Sequence, residues 1–347
     1  MRALWIQGPA GSGKTRLVSA YGERQAGAVR WFNAGQGDRD PVSLFHGLAT
    51  LSGACDLPDF AREQPFDLDN FARRFFRAWF QAGPAGTILV LDDWQAIAGS
   101  LVEAIVPALI DQIPDGCALI VLSRAAPDPA LARHVLNDRL GRLAMDELAF
   151  TADEAGELAE RLGTVLPAAA LSDLIAATEG WAMGVHLLLK SGVRAKGLSQ
   201  PDEMLRAYVD KELLDPLGSV EREVLLKACL IDVMDDAFVA SLIDVPDAHT
   251  VLRDLARRDG FLISLSSDGH GFRCPALIRD LLRKSARASL GPPRSPAWRR
   301  GPRTHWQTGD ARGRPLNSST APELQPNCRR SSRHMAALSL RPDARRR

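Results

Sequence analysis

The run Gly8-Pro9-Ala10-Gly11-Ser12-Gly13-Lys14-Thr15, directly behind the apolar Ala3-Leu4-Trp5-Ile6, constrains this chain more than any other stretch. It matches G-x-x-x-x-G-K-[ST] at every fixed position. The flanks also fit: a strand feeds the loop, and Arg16-Leu17-Val18-Ser19-Ala20-Tyr21 leaves it as a helix. Gly8, Gly11 and Gly13 accept backbone angles that other residues resist, so successive N–H groups can turn inward around phosphate oxygens. The N-terminus of the helix opening at Lys14 adds its positive dipole at the same place. This pattern assigns Gly8 to Arg16 to a bound nucleotide, with Lys14 on the β- and γ-phosphates and the Thr15 hydroxyl on Mg²⁺.

A second chemical signal follows Gly83-Pro84-Ala85-Gly86. Thr87-Ile88-Leu89-Val90-Leu91 is apolar without alternation, as a parallel strand covered on both faces should be, and it ends in Asp92-Asp93. Ligands of open α/β sheets bind at the carboxyl ends of the strands. Asp92 is therefore the second Mg²⁺ residue beside Thr15, and Asp93 the group that orients or deprotonates an attacking water. An Asp-Asp turn after a strand is common; the phosphate loop upstream gives it meaning. A further buried strand, Ala118 to Leu122, ends in Ser123-Arg124. If it lies between the two strands above, Ser123 and Arg124 flank the nucleotide and Arg124 meets the γ-phosphate. The plainer reading is an Arg that caps a strand end against a surface acid.

The remaining elements frame these signals. A strand at Ala28–Asn33 precedes an acidic turn and a helix from Pro41 to about Ser52, with Asp40 as its cap. The helix Leu68–Gln81 carries Phe71, Phe75, Phe76, Trp79 and Phe80 on one stripe, a packing face rather than a ligand box. A helix near Leu101–Gln112 and a fifth short strand around Glu147–Phe150 complete an α/β unit over residues 1–150. Thr151-Ala152-Asp153-Glu154 reads as a capping box that opens a helical unit over 151–216. Within it lies the glycine-flanked turn Glu179-Gly180-Trp181. Residues 217–289 read as three short helices near Glu221–Ala228, Asp236–Ile243 and His249–Arg258. Two strands follow, Phe261–Leu265 and Gly271–Arg273, and then a closing helix Pro275–Ala288, which together make a winged-helix order.

Charge divides the chain. Its net +1 combines an acidic excess up to Ser289 with thirteen Arg against three acids from residue 290 onward. The segment 290–347 is rich in Arg, Pro, Ser and Gly without apolar periodicity, and it reads as a disordered basic tail. Its abrupt change of composition suggests an out-of-frame continuation; the rival is an arm that binds nucleic acid through phosphates. No apolar run approaches the roughly 20 residues of a membrane span. The five cysteines lack metal-ligand spacing, and the N-terminus is not a secretory signal, so the expected location is cytoplasmic.

Several of these stretches occur together, in this order, in one family. GPAGSGKT, LVLDDW (Leu89 to Trp94), LIVLSRAAPDPALARH (Leu119 to His134), ATEGWAMGVHLLL (Ala177 to Leu189) and the stretch from Asp254 to Arg283 resemble the nucleotide-binding part of the large ATP-dependent, MalT-like LuxR-type regulators. These belong to the signal-transducing switch NTPases. The resemblance implies a parallel P-loop NTPase sheet with helices on both faces, then helical and winged-helix domains. It implies an ATP/ADP switch with slow Mg²⁺-dependent hydrolysis, in which ADP holds the three units closed. It assigns Lys14, Asp93 and Arg124 to catalysis and γ-phosphate sensing, and Thr15 and Asp92 to Mg²⁺. An unknown inducer, self-association in the ATP state, and DNA contact through output domains absent from this chain are the implied partners. Pro275-Ala276 stands where relatives often carry a histidine, which removes one expected winged-helix contact with the nucleotide. Two other readings stay open: a phosphate-loop ATPase or kinase acting as an enzyme in its own right, which lacks an Arg-rich lid before residue 150, and an interaction fragment that no longer responds to nucleotide.

Overall fold

The computed structural model describes residues 1–290 apart from 26, 55, 61–66, 191–202, 236–238, 241–242, 260 and 265–270. The tail from residue 291 and part of the helix expected at Asp236–Ile243 lie outside the described residues. Val239 and Ile243 donate at helical spacing to Asp235 and Val239, at 2.9 Å each.

Five parallel strands form the first sheet: β1 (Ala3–Gln7), β2 (Val29–Asn33), β3 (Ile88–Asp92), β4 (Ala118–Ser123) and β5 (Leu140–Leu143), in the order β2-β3-β4-β1-β5. β4 lies between the loop strand and the Asp92 strand, with Gln7 opposite Ser123 and Leu91 opposite Val121. Every residue of β3 and β4 is buried, which is why those stretches carry no polar alternation. Helix α1 (Lys14–Gly22) covers one face of the sheet through Val18 and Tyr21. Helices α2 (Pro41–Ser52), α3 (Leu68–Ala82) and α4 (Ile105–Gln112) build the other face. Asp40 caps α2 through Ser43 N–H at 3.0 Å. The α3 stripe is core: Phe45 lies edge-on to Phe71 and Phe75 at 4.8 and 4.9 Å, and the Trp79 indole donates to Leu48 O at 2.8 Å.

Two expectations change. The helix expected from Leu101 splits into a 3-10 turn, Leu101–Ala104, and α4, because Pro107 is tolerated only in the first turn of an α-helix. The fifth strand lies earlier than Glu147–Phe150. There, Glu147 accepts Ala144 N–H at 3.1 Å and turns the chain into the short helix α6 (Met145–Leu148). β5 is hidden in the sequence by Gly141-Arg142, which interrupts the apolar run that marks the other strands. Between β4 and β5 runs α5 (Ala132–Leu136). Its buried His134 meets Asp111 of α4 at 3.2 Å, and Arg73, Arg133 and Arg139 bond the same carboxylate. Burial alone would raise the Asp111 carboxyl; bonds from Arg73 and His134 hold it below the usual range. The ALARH stretch thus serves the fold.

From Thr151 the chain is helical: α7 (Ala152–Arg161), α8 (Ala168–Thr178), α9 (Ala182–Lys190) and α10 (Glu203–Val209). The box at Thr151 and Glu154 closes as expected, with reciprocal bonds of 3.2 and 2.9 Å. A π-helical turn, Asp210–Leu214, extends α10. Then come α11 (Ser219–Ala228), α12 (Ala248–Asp259), β6 (Ile263–Ser264), β7 (Phe272–Arg273) and α13 (Ala276–Leu290). β6 and β7 pair antiparallel, and Met234 adds a bridge to Phe272 that the sequence did not signal. One hydrophobic core runs from Ala155 to Ala286 through these helices and β7, and Ala10 of the phosphate loop belongs to it. No helix among the described residues is long and apolar enough to cross a membrane.

Candidate nucleotide-binding site

The sheet order brings the ends of β1, β3 and β4 side by side, and the site residues with them. Gly8 N–H donates to Ser123 O at 3.2 Å and pins the loop to β4. Gly11 and Gly13 have φ of 70° and 91°, so both need glycine's freedom. Gly8 does not have positive φ. Its requirement is steric, since a Cβ there would lie 2.7 Å from Ser12 Oγ. Pro9 and Ala10 are buried at the loop's crest, and Ser12 N–H closes a turn onto Pro9 O at 3.2 Å. Lys14 Nζ donates to Gly8 O at 2.6 Å, Pro9 O at 3.0 Å and Ser12 Oγ at 3.4 Å. Burial pulls its ammonium down to about 8. The Arg124 charge adds to this, and Asp92 and Asp93 oppose it. Arg16 is exposed on the first turn of α1.

Thr15 Oγ1 donates to Asp92 Oδ2 at 3.1 Å, across 77 residues of sequence. Burial raises the Asp92 carboxyl, while the Asp93 N–H and the Thr15 hydroxyl offset part of that. A hydroxyl and a carboxylate side by side are hard oxygen donors, the set that Mg²⁺ takes together with phosphate oxygens and water. The residues present therefore fit the ion. No group of three or more His, Cys, Asp or Glu among the described residues forms a separate metal cage.

Asp93 is exposed and held at φ 52°, an unusual angle for a non-glycine residue. Its Oδ1 accepts from Gln95 Nε2 at 2.9 Å, and Gln95 Oε1 accepts Arg124 N–H at 3.0 Å. Gln95, which the sequence reading passed over, thus ties the end of β3 to the end of β4. The Ser123 hydroxyl is buried and accepts Ala125 N–H at 3.1 Å, which shapes the turn out of β4. The Arg124 guanidinium reaches Glu212 in the π-helical turn, with Nη2 3.1 Å from Oε2 and Nη1 3.5 Å from the carbonyl.

The helical elements touch the loop directly. Trp181 Nε1 donates to Ala10 O at 2.9 Å, and Met183 N–H donates to Gly11 O at 3.0 Å. A Cβ on Gly11 would lie 2.6 Å from Met183 Cβ and 2.7 Å from Tyr208 Oη. Burial pushes the Tyr208 phenol up to about 12, the Glu212 charge adding to it. The turn before Trp181 faces the other way. Glu179, at φ 50°, takes Arg273 Nη1 at 2.8 Å on both carboxylate oxygens and Ala276 N–H at 3.3 Å. The Pro275-Ala276 pair thus meets Glu179 through the Ala276 backbone amide. None of these long-range pairs has a local sequence signature.

A parallel sheet in this order, with GPAGSGKT between β1 and α1 and Asp92 closing β3, defines a P-loop NTPase. Residues 210–294 match the family model described as the MalT winged helix domain. The chain is 26% identical over 309 residues to the HTH-type transcriptional regulator MalT of Yersinia pestis (strain Pestoides F), covering 83% of this chain and 34% of that protein. It is 25% identical over 307 residues to MalT of Cronobacter sakazakii (strain ATCC BAA-894), with the same coverage. The chain thus carries a P-loop NTPase fold and is similar to MalT over most of its length, and it spans about a third of the length of the curated relatives it matches. A solved Walker-type ATPase of Pyrococcus abyssi aligns over 81% of this chain and 91% of its own. Its identity is 11% and its TM-score 0.49, too loose a likeness to carry function.

Proposed function

We propose that this chain is the ATP/ADP-binding switch part of a MalT-like transcriptional regulator. The observation that carries the reading is the pair of bonds from Trp181 and Met183 to the carbonyls of Ala10 and Gly11. A loop whose crest is bonded to the helical elements cannot rearrange around a nucleotide without those elements responding.

In this reading the loop amides from Gly8 to Thr15 and the Lys14 ammonium hold the phosphates. Thr15 and Asp92 hold Mg²⁺, which neutralises charge on the β- and γ-oxygens when bound. Asp93, steadied by Gln95, orients the attacking water, and Arg124 meets the γ-phosphate. Hydrolysis is slow and resets the switch, well below the ~1–100 s⁻¹ of kinases. ADP keeps the units at 1–150, 151–216 and 217–289 packed together. ATP, admitted by an inducer, loosens them and permits self-association, with DNA contacted by segments such as those of the longer relatives. The expected location is the cytoplasm.

Nucleotide content tests the reading. Protein purified without added nucleotide, denatured and resolved by anion exchange, is expected to release close to one equivalent of ADP per chain. Protein that comes out empty and takes up neither ADP nor ATP with Mg²⁺ would contradict it.

A further inference from the structure

Arg124 is already committed. It leaves the end of β4 beside the loop, close enough for its charge to act on Lys14, yet its guanidinium is paired with Glu212 at 3.1 Å. Glu212 sits in a π-helical turn, an irregularity common at functional positions. The same segment places the Tyr208 hydroxyl over Gly11, so Glu212 is carried on the element that covers the loop. Both partners are partly shielded, with side chains 23% and 33% exposed, so solvent screens the pair less than a surface bridge.

We infer that Glu212 sets the preference of this site for nucleoside diphosphates over triphosphates, acting as an internal anion that competes with a γ-phosphate for Arg124. This rests on the reading of the P loop as a nucleotide site. The charges give the direction. A diphosphate ends at the β-phosphate, held by the loop amides and Lys14, and leaves the Arg124–Glu212 pair intact. A triphosphate brings its anionic terminus to Arg124, and either displaces Glu212 or lies beside its unmatched charge. Each course penalises the triphosphate alone. Displacing Glu212 also pulls on the π-helical turn, and with it on Tyr208 above Gly11, so the choice of nucleotide and the packing of α10 are the same event. Glu212 touches Arg124 and not the reacting atoms; it is a specificity-determining and positioning residue.

The test is calorimetric titration of ADP and of a non-hydrolysable ATP analogue, both with Mg²⁺, into wild type and Glu212→Gln. The substitution keeps size and removes charge. The affinity ratio of analogue to ADP is expected to rise about tenfold, the scale of one charged hydrogen bond, with ADP affinity changed less than about twofold. In an Arg124→Ala background the same substitution should leave the ratio unmoved. An unchanged ratio in Glu212→Gln, equal shifts for both nucleotides, or an equal effect without Arg124 would overturn the inference while leaving the P loop standing. A wild type that binds neither nucleotide would overturn the P-loop reading itself.

Discussion

Lys14→Ala is expected to weaken ADP and ATP binding by at least about 100-fold while the chain stays folded. The ammonium is the one strong cation inside the loop, donating to Gly8 O, Pro9 O and Ser12 Oγ. Burial has already lowered its proton affinity to about 8, so its charge is poorly compensated by the protein. A phosphate supplies that compensation. Charged hydrogen bonds contribute about 1.5–3 kcal/mol each, and an unpaired phosphate oxygen in the loop costs more. The fold depends little on this residue, since its partners are two carbonyls and a hydroxyl within the loop itself. Titration calorimetry gives the affinity and far-UV circular dichroism checks the fold. Normal nucleotide binding by Lys14→Ala would show that the phosphates lie elsewhere.

The second large effect concerns Gly11, and it separates two uses of glycine. In Gly11→Ala the added methyl would lie 2.6 Å from Met183 Cβ and 2.7 Å from Tyr208 Oη, at a φ of 70°. Met183 Cβ is fixed to its backbone and the Tyr208 ring is stiff, so neither can yield cheaply. The methyl must push α9 and α10 away from the loop. The left-handed angle costs about 1–2 kcal/mol for a residue with a Cβ, and overpacking adds about 1–3 kcal/mol. Gly116→Ala is the matched control: its φ is 86° and nothing lies within 4 Å of its Cβ, so only the angle is penalised. Urea unfolding should place Gly11→Ala below Gly116→Ala by about 1–3 kcal/mol. Equal losses would mean that the packing of Met183 and Tyr208 on the loop contributes nothing.

Gly11 also shows where sequence reasoning was sound and where it stopped. The pattern from Gly8 to Thr15, the flat apolar β3 and β4, and Asp92-Asp93 located the loop, the sheet and the Thr15–Asp92 contact, because each is a local rule expressed locally. The position of β4 between β3 and β1 was a condition that the sequence left open, and the sheet order meets it. What escaped depends on assembly. Gly11 read as a phosphate glycine, yet its missing Cβ also makes room for Met183 and Tyr208, which lie far away in sequence. Arg124 read either as a γ-phosphate sensor or as a strand-end Arg paired with an acid, but its actual partner, Glu212, is 88 residues distant and no local rule names it. Leu148-Ala149-Phe150 looked like a strand because apolarity outweighed the Glu147 carboxylate that caps α6. The Glu179–Arg273 pair and the Met234 bridge join segments that no periodicity links.

The central claim is that the nucleotide's phosphates are felt by the helical elements through the carbonyls of Ala10 and Gly11. Amide hydrogen exchange tests it most directly, because the Met183 N–H is itself the donor to Gly11 O. Peptides spanning 179–190 should exchange slowest with ADP and Mg²⁺ and measurably faster with a non-hydrolysable ATP analogue, while β3 and β4 stay equally protected in both. Identical exchange of 179–190 in the two nucleotide states, with both nucleotides shown to be bound, would contradict the account.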